Sequence, residues 1–150
     1  MTATDQDVVE RDLYIAARPE IVFSFFTEPE KLVRWLGIRA TLDAQPGGVC
    51  RIHINEREIV AGQYLEVVPY SRIVLTWGVE DSPLPSGSTT VEIRLQPEAG
   101  GTRLSLRHRG IPVAQRAFQA AGWDHLLARL AIVVEGGDPG PDAWATGSMG

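Results

Sequence analysis

The sequence predicts an α+β fold in which a curved antiparallel β-sheet wraps around a long C-terminal α-helix, with two short helices after the first strand. Three observations predict it. Residues 47–109 alternate apolar and polar side chains over about five segments joined by short turns. This pattern is typical of an antiparallel meander with one face exposed to solvent. Residues 112–135 instead carry apolar side chains at helical spacing. The apolar face of the sheet needs a cover, and this helix has the matching stripe.

The first quarter of the chain predicts one strand and two short helices. Residues 1–7 are polar and acidic, and we expect them to be disordered, whereas residues 8–16 predict a strand. Apolar side chains then recur at the spacing of one buried helix face, and these are Ile21, Val22, Phe25 and Phe26. A second short helix is predicted over about 28–36, immediately before Gly37.

The alternating segments place one set of side chains on the inner face of the sheet. In residues 102–109, Leu104, Leu106 and His108 share a face, and the opposite face is mostly charged. A titratable imidazole is therefore expected on the apolar side. The same period of two selects the inward residues of the other segments, which are Cys50, Ile52, Ile54, Ile73, Leu75, Trp77, Val79, Val91, Ile93 and Leu95. Gly62 interrupts one segment and predicts a bulge or bend.

The long helix closes the predicted domain. It spans about 112–135, begins at Pro112 and is ended by Gly136. At 100° per residue, a narrow arc faces the sheet and contains Trp123, Leu127, Leu130 and Val134. Residues 8–136 are therefore expected to form one domain, and residues 137–150 a flexible tail.

Composition excludes several classes of function. The 150 residues carry a formal net charge of −5, which argues against nucleic acid as a partner. Cys50 is the single cysteine, so an internal disulfide is excluded, and no cysteine–histidine pair has zinc-site spacing. The polar, acidic N-terminal residues do not have the pattern of a signal peptide, and no apolar run is long enough to span a bilayer. The sequence also contains no cofactor-binding motif. The expectation is a cytoplasmic protein without membrane contact, metal or cofactor.

The chain resembles a known family through five segments that occur in order: ARPEIVFSFFTEPEKLVRWLG, QPGG, LEVVPYSRIVLTWG, GGTRLSLRHRGIP and AGWDHLLARL. They are similar to the activator of heat-shock protein 90 ATPase homologue-like family, within the START-like (SRPBCC) helix-grip superfamily. The resemblance covers roughly residues 8–136 and implies the helix-grip fold. It leaves the activity open, because the superfamily contains lipid carriers, hormone receptors, cyclases and co-chaperone domains.

One position departs from the pattern of the family. Members often carry two adjacent tryptophans before the glycine, and here Leu36 follows Trp35. The apolar wall is retained, but one aromatic ring and its N–H donor are lost. Any ligand contact that the family makes through that ring is therefore not implied for this chain.

The preferred function is the binding of a small hydrophobic ligand, such as a lipid, an aromatic or a polyketide-like compound. A helix grip can enclose an apolar cavity with few polar groups, and His108 would orient the guest. The expected ligand contacts are Trp35, Ile52, Trp77, Ile93, Leu106, His108, Trp123, Leu127 and Leu130. The alternative is that Trp77, Trp123 and the leucines fill this space as an ordinary core.

A cyclase- or aromatase-type enzyme is a second hypothesis, in which His108 is the acid/base and Tyr64 or Arg116 assists it. The sequence offers no second catalytic group at a useful spacing, so this hypothesis is not favoured. The structural alternative is a histidine bonded to backbone or water. Cys50 is expected to be an inert buried thiol rather than a nucleophile.

A co-chaperone-like interaction domain is the third hypothesis, with two candidate contact surfaces. One is the outer sheet face, which carries Arg51, His53, Arg94, Arg103 and Arg107. The other is the back of the long helix, where Phe118 and Ile132 are apolar and favour a homodimer. On the same helix, Arg116 and Gln119 either mark a pocket mouth or extend beyond the sheet. Asp124 and His125 are expected in solvent or in a contact surface.

Overall fold

A computed structural model describes residues 8–147 and has the predicted α+β architecture. The elements follow in the order β1 (Val8–Ile15), α1 (Pro19–Thr27), α2 (Pro29–Leu32), β2 (Arg39–Leu42), β3 (Val49–His53), β4 (Ile59–Val68), β5 (Arg72–Trp77), β6 (Thr89–Glu98), β7 (Gly101–Arg109), α3 (Val113–Val134) and α4 (Ala143–Thr146). The prediction of disorder for residues 1–7 lies outside the described residues, as do residues 148–150.

The seven strands form one antiparallel sheet in the order β1-β7-β6-β5-β4-β3-β2. The meander from β3 to β7 was predicted, and β1 joins it by pairing along its length with β7. Within β1, Val9 and Ile15 are buried, so the odd-numbered face is the inward one. The short edge strand β2 was not predicted, because the alternation in RATL extends over only four residues and its burial is only partial.

Gly62 has a different role from the predicted bulge. It pairs in register with Cys50 on β3, and the register irregularity between β4 and β5 lies between Tyr64 and Glu66. A Cβ at Gly62 would overlap the backbone carbonyl of Thr76 on β5. The glycine is therefore required by the close approach of two strands, a case in which any side chain is excluded.

Helix α3 lies within one residue of its predicted bounds and covers the sheet. Its four predicted inward residues are all buried, and Leu126 and Val133 join them. The helix ends in a Schellman motif: Gly136 has φ +94°, its N–H bonds to the carbonyl of Val133, and the Gly137 N–H bonds to that of Ile132. This motif turns the chain back along α3.

The C-terminal segment differs from the predicted flexible tail in its described part. Residues 138–147 lie on the domain, and they include the single-turn helix α4. The side chain of Asp142 accepts a hydrogen bond from the Trp144 N–H at 3.0 Å, which is an N-cap. Trp144 packs against the hydrophobic core. The composition suggested a flexible tail, but Asp142, Trp144 and bonds from Asn55 and Arg129 attach the segment to the domain.

The candidate ligand-binding interior

The space between the sheet and α3 is almost completely filled. Two small voids remain, with free volumes of about 20 Å³ and about 30 Å³. A water molecule needs roughly 10–15 Å³ on this measure, whereas small-molecule pockets enclose roughly 300–1,000 Å³. Each void therefore has room for one or two waters, and the expectation of an open cavity differs from the structure.

The inner void lies deep between the sheet and the short helices. Its lining is apolar apart from a thiol and a phenol, and consists of Phe26, Leu32, Trp35, Leu36, Cys50, Ile52, Tyr64, Ile73, Leu75, Trp77, Val91, Ile93 and Trp123. Five of the nine predicted contacts are in this set. Leu106, His108, Leu127 and Leu130 are buried but lie behind it. Phe26, Tyr64 and Val91 were not predicted as contacts, although their inward phase could have identified them.

The outer void lies nearer the surface, between α3, the sheet and the C-terminal segment. It is lined by Ile54, Val60, Trp77, Val79, Phe118, Gln119, Gly122, Trp123, Leu126 and Trp144. Trp77 and Trp123 line both voids, and their ring centroids are 5.2 Å apart. These two side chains therefore form the partition between the voids. Gln119 borders the outer void, which corresponds to one of the two alternatives left open for it, whereas Arg116 lines neither void.

His108 supports this partition from behind through a chain of hydrogen bonds. The Trp123 indole N–H donates to His108 Nδ1 at 3.0 Å, so Nδ1 is an acceptor and the ring proton is on Nε2. Nε2 then donates to Thr89 Oγ1 at 2.7 Å, and the Thr89 hydroxyl donates to the Trp77 carbonyl at 2.6 Å. Every donor and acceptor of the neutral imidazole is satisfied within the protein.

This arrangement leaves His108 little capacity for proton transfer. The residue is 0% exposed, and burial lowers its pKa to about 4. Protonation of Nδ1 would also make it a second donor facing the Trp123 N–H, and their hydrogen bond would be lost. His108 therefore acts as a neutral structural group, which was the structural alternative recognised from the sequence, although its partners are side chains rather than backbone or water.

Among the residues that line the inner void, Tyr64 carries a hydroxyl and Cys50 a thiol. The Tyr64 hydroxyl donates to the Phe26 carbonyl at 3.2 Å. Burial raises the pKa of Cys50 to about 12 and raises the pKa of Tyr64 above its usual value. Both groups are therefore neutral, and no charged side chain lines either void among the described residues.

Trp35 and Tyr64, which line the inner void, also form hydrogen bonds with backbone carbonyls at the C-terminal end of α1. The Trp35 indole N–H donates to the Phe25 carbonyl at 3.0 Å, and the Tyr64 hydroxyl donates to the Phe26 carbonyl. Trp35 also packs edge-on against Phe26 at 5.2 Å. These bonds satisfy carbonyls that a helix C-terminus leaves unpaired. Trp35 thus fixes α1 and lines the void with the same ring.

The outer face of the sheet is a network of paired charges. Arg51 binds Glu80 at 3.0 Å, Arg103 binds Glu98 at 2.6 Å and Arg107 binds Glu10 at 2.8 Å. Glu92 is only 4% exposed and accepts from Arg94 at 2.8 Å. Burial acts to raise the pKa of Glu92, but the hydrogen bond and the surrounding guanidinium charges outweigh it and the pKa is lowered. The arginines of the predicted contact surface are thus engaged within the protein.

The two residues expected in solvent after Trp123 both have partners. Asp124 accepts from Arg11 at 2.6 Å. The ring of His125 stacks on Trp144 with centroids 4.4 Å apart, and its Nε2 lies 2.9 Å from Asp142 Oδ1. His125 is thus in a contact within the chain rather than in solvent, because the C-terminal segment covers that side of α3. No helix in residues 8–147 is long and apolar enough to cross a membrane.

Comparison with known proteins gives a family and several close folds. The model of the family "Activator of Hsp90 ATPase homolog 1-like protein" matches residues 16–135. The solution structure of an AHSA1-like protein from Rhizobium etli is 40% identical, with a TM-score of 0.72, and the match covers 91% of this chain and 87% of that one. The crystal structure of a Chromobacterium violaceum protein is 30% identical, with a TM-score of 0.74 and coverage of 91% and 99%.

A curated human relative is more distant and much longer. The activator of 90 kDa heat shock protein ATPase homolog 1 from Homo sapiens is 29% identical over 105 residues, which is 70% of this chain. The chain spans about 30% of the length of that relative. The family model covers most of the domain, from the end of β1 to the end of α3. The chain therefore belongs to the activator of Hsp90 ATPase homolog 1-like family.

Proposed function

We propose that the domain binds a small, neutral, hydrophobic molecule between the curved sheet and α3. One observation carries the proposal: two apolar voids meet at a partition made of two side chains, Trp77 and Trp123. Rotation of these indoles would join the voids into one cavity without any change in the backbone. Aromatic walls of this kind suit a flat or aliphatic guest, because they offer large apolar contact areas.

The chemistry of the lining supports a neutral ligand. A carboxylate or phosphate would lose its hydration with no cation to compensate, since the described lining residues carry no charge. Tyr64 and Cys50 are lining residues of the inner void, so a ligand hydroxyl could donate to the Tyr64 oxygen and a ligand carbonyl could accept from the Cys50 thiol. Fatty alcohols, ketones and neutral polycyclic compounds fit this description better than fatty acids do.

The first test is native mass spectrometry of the freshly purified chain, followed by titration with the neutral dye Nile red. Val91→Phe fills the inner void from β6, where Val91 is fully buried. Thr90→Phe is the matched control, because its neighbouring side chain points to the outer face. We expect Nile red to bind the wild type and Thr90→Phe, and to bind Val91→Phe at least tenfold more weakly, about 1.4 kcal/mol. Equal affinity in all three proteins would contradict an interior site.

The same spectrum counts subunits and so addresses the predicted homodimer. Phe118 and Ile132 are 39% and 42% exposed on α3. Phe118 also lines the outer void, and the exposed parts of both side chains are available to a second copy. A dimer mass that is lost in Ile132→Glu supports an interface there. A monomer mass at micromolar concentration contradicts it.

Activation of a heat-shock protein 90 ATPase is a second candidate function. The observation that favours it is the similarity to the human and mouse activators, although the chain spans only about 30% of their length. The measurement is the chaperone's ATPase rate with and without this chain. A rate that rises with added chain supports the candidate, and an unchanged rate at saturating concentration contradicts it.

A further inference from the structure

The C-terminal segment, residues 138–147, covers the outer void. The indole of Trp144 forms part of the wall of that void opposite Trp77 and Trp123. It is seated on α3 at Gly122, where a Cβ would come within 3.3 Å of the indole, and it stacks on His125. A path from solvent to the inner void through the outer void therefore meets Trp144 first and the tryptophan partition second.

The segment is held mainly by polar contacts at its two ends. Asn55 Nδ2 donates to the carbonyls of Trp144 and Gly147 at 2.9 and 3.0 Å. Arg129 donates to the carbonyls of Pro139 and Gly140 at 3.4 and 3.1 Å. Asp142 lies between His125 and Arg129, at 2.9 and 3.7 Å. Segments with few buried apolar contacts open locally at a small fraction of the global unfolding free energy.

One glycine precedes the segment and another lies near its start. Gly136 and Gly140 have φ of +94° and +77°, and a Cβ at either would meet no neighbouring atom within 4 Å. The chain around them is exposed or half-buried. The segment can therefore swing about these positions while α3 stays packed on the sheet. Opening of the partition is a separate step, because rotation of Trp123 also breaks its hydrogen bond to His108.

We propose that residues 138–147 are a lid that controls entry of the ligand to the interior, with Trp144 as its closing side chain. The inference rests on the proposed function and adds its kinetic control. When the lid is closed, Trp144 blocks the outer void, and a ligand can enter only while the lid is open. A lid that is open 0.1–10% of the time slows association by the same fraction, about 10- to 1,000-fold.

The test is stopped-flow binding of Nile red to the full chain and to three variants. Trp144→Ala removes the closing side chain and leaves the backbone contacts. Asn55→Asp removes the Nδ2 donor to residues 144 and 147, together with its bond to Glu58 Oε1 at 2.8 Å, but keeps Oδ1, which accepts from the N–H groups of Arg57 and Glu58 in the β3–β4 turn. Thr146→Ala is the control, since Thr146 is an exposed residue of the same segment.

We expect both association and dissociation to become at least about tenfold faster in Trp144→Ala and Asn55→Asp. Equilibrium affinity should change much less than the rates in Asn55→Asp, because Asn55 lines neither void. Thr146→Ala should keep wild-type rates. Nile red binding with equal rates in all four proteins would overturn the lid and leave the proposed function intact. Failure of every protein to bind Nile red would overturn the proposed function and the lid with it. Circular dichroism melts check that each variant is folded, and Trp144→Ala leaves the β3–β4 turn untouched.

Discussion

Trp123 donates its indole N–H to Nδ1 of His108 over 3.0 Å, and both residues are buried. The bond ties the middle of α3 to β7 across the interior. It fixes the tautomer of the imidazole, and through Thr89 it reaches the backbone of Trp77. The position of the aromatic partition thus depends on one neutral histidine.

The first prediction is a coupling between these two residues. His108→Phe keeps a ring of similar size but leaves the Trp123 N–H without an acceptor, and an unsatisfied buried donor costs about 1–3 kcal/mol. Trp123→Phe removes the donor itself. The double variant should be destabilised by less than the sum of the single variants, with a coupling of about 0.5–3 kcal/mol in urea unfolding.

His53 is the control for the coupling. It lies half-buried on the outer face of β3, so His53→Phe should change the free energy of unfolding by only about 0.5 kcal/mol. Additive effects of His108→Phe and Trp123→Phe, within about 0.5 kcal/mol, would contradict the coupling.

The second prediction is a loss of stability in mild acid. His108 has a pKa of about 4 in the folded protein and about 6.5 when unfolded. Between these values the unfolded chain binds a proton that the folded chain does not, so the free energy of unfolding falls as the pH falls. From pH 7 to pH 4.5 the loss is about 2 kcal/mol for this group.

The measurement is urea unfolding of the wild type and of His108→Phe over this pH range. Carboxylates such as Glu92, whose pKa is lowered in the fold, contribute equally to both proteins, and the difference between them isolates His108. The stability gap between the two proteins should narrow as the pH falls. A constant gap would contradict a buried neutral imidazole.

The sequence predicted the architecture because periodicity reports directly on burial. The alternation in β5 to β7 and the helical arc of α3 selected residues that are all buried, among them Trp77, Trp123 and Leu130. The helix end was predicted because glycine favours the positive φ of a Schellman motif. Strand β2 was missed because a four-residue edge strand buries too little to leave an apolar pattern.

The site was predicted less completely, for a different physical reason. The alternation along β7 places His108 and Leu106 on the inner face of the sheet. It does not indicate which inward side chains border a void and which lie behind other side chains. The attachment of the C-terminal segment was also out of reach, because Asn55 and Trp144 are 89 residues apart and a single side-chain bond joins them. Long-range polar contacts of this kind leave no periodic signal.

The third prediction concerns Cys50. The thiol is buried in the inner void, and burial raises its pKa to about 12, so almost none of it is thiolate at pH 8. We expect the native protein to react with Ellman's reagent at least 100-fold more slowly than the same protein in guanidinium chloride, where the thiol is exposed. Rapid modification of the native protein would contradict the burial, and Cys50→Ala gives the background rate.

The fourth prediction contrasts two glycines that respond oppositely to a methyl group. At Gly62 an added Cβ overlaps the Thr76 carbonyl of the neighbouring strand, and backbone atoms in a sheet cannot move aside cheaply. Gly62→Ala should lower the free energy of unfolding by at least about 2 kcal/mol.

Gly122 lies inside α3, where alanine is favoured over glycine by about 1 kcal/mol. Its added Cβ meets only the far edge of the Trp144 ring, at 3.3 Å, and that side chain can shift by a few tenths of an ångström. Gly122→Ala should therefore raise the free energy of unfolding by about 0.5–1 kcal/mol. The measurement is the free energy of unfolding of both variants in urea. A destabilised Gly122→Ala would contradict the prediction, because it would mean that the Trp144 side chain cannot shift and that the C-terminal segment is held more rigidly than its contacts indicate.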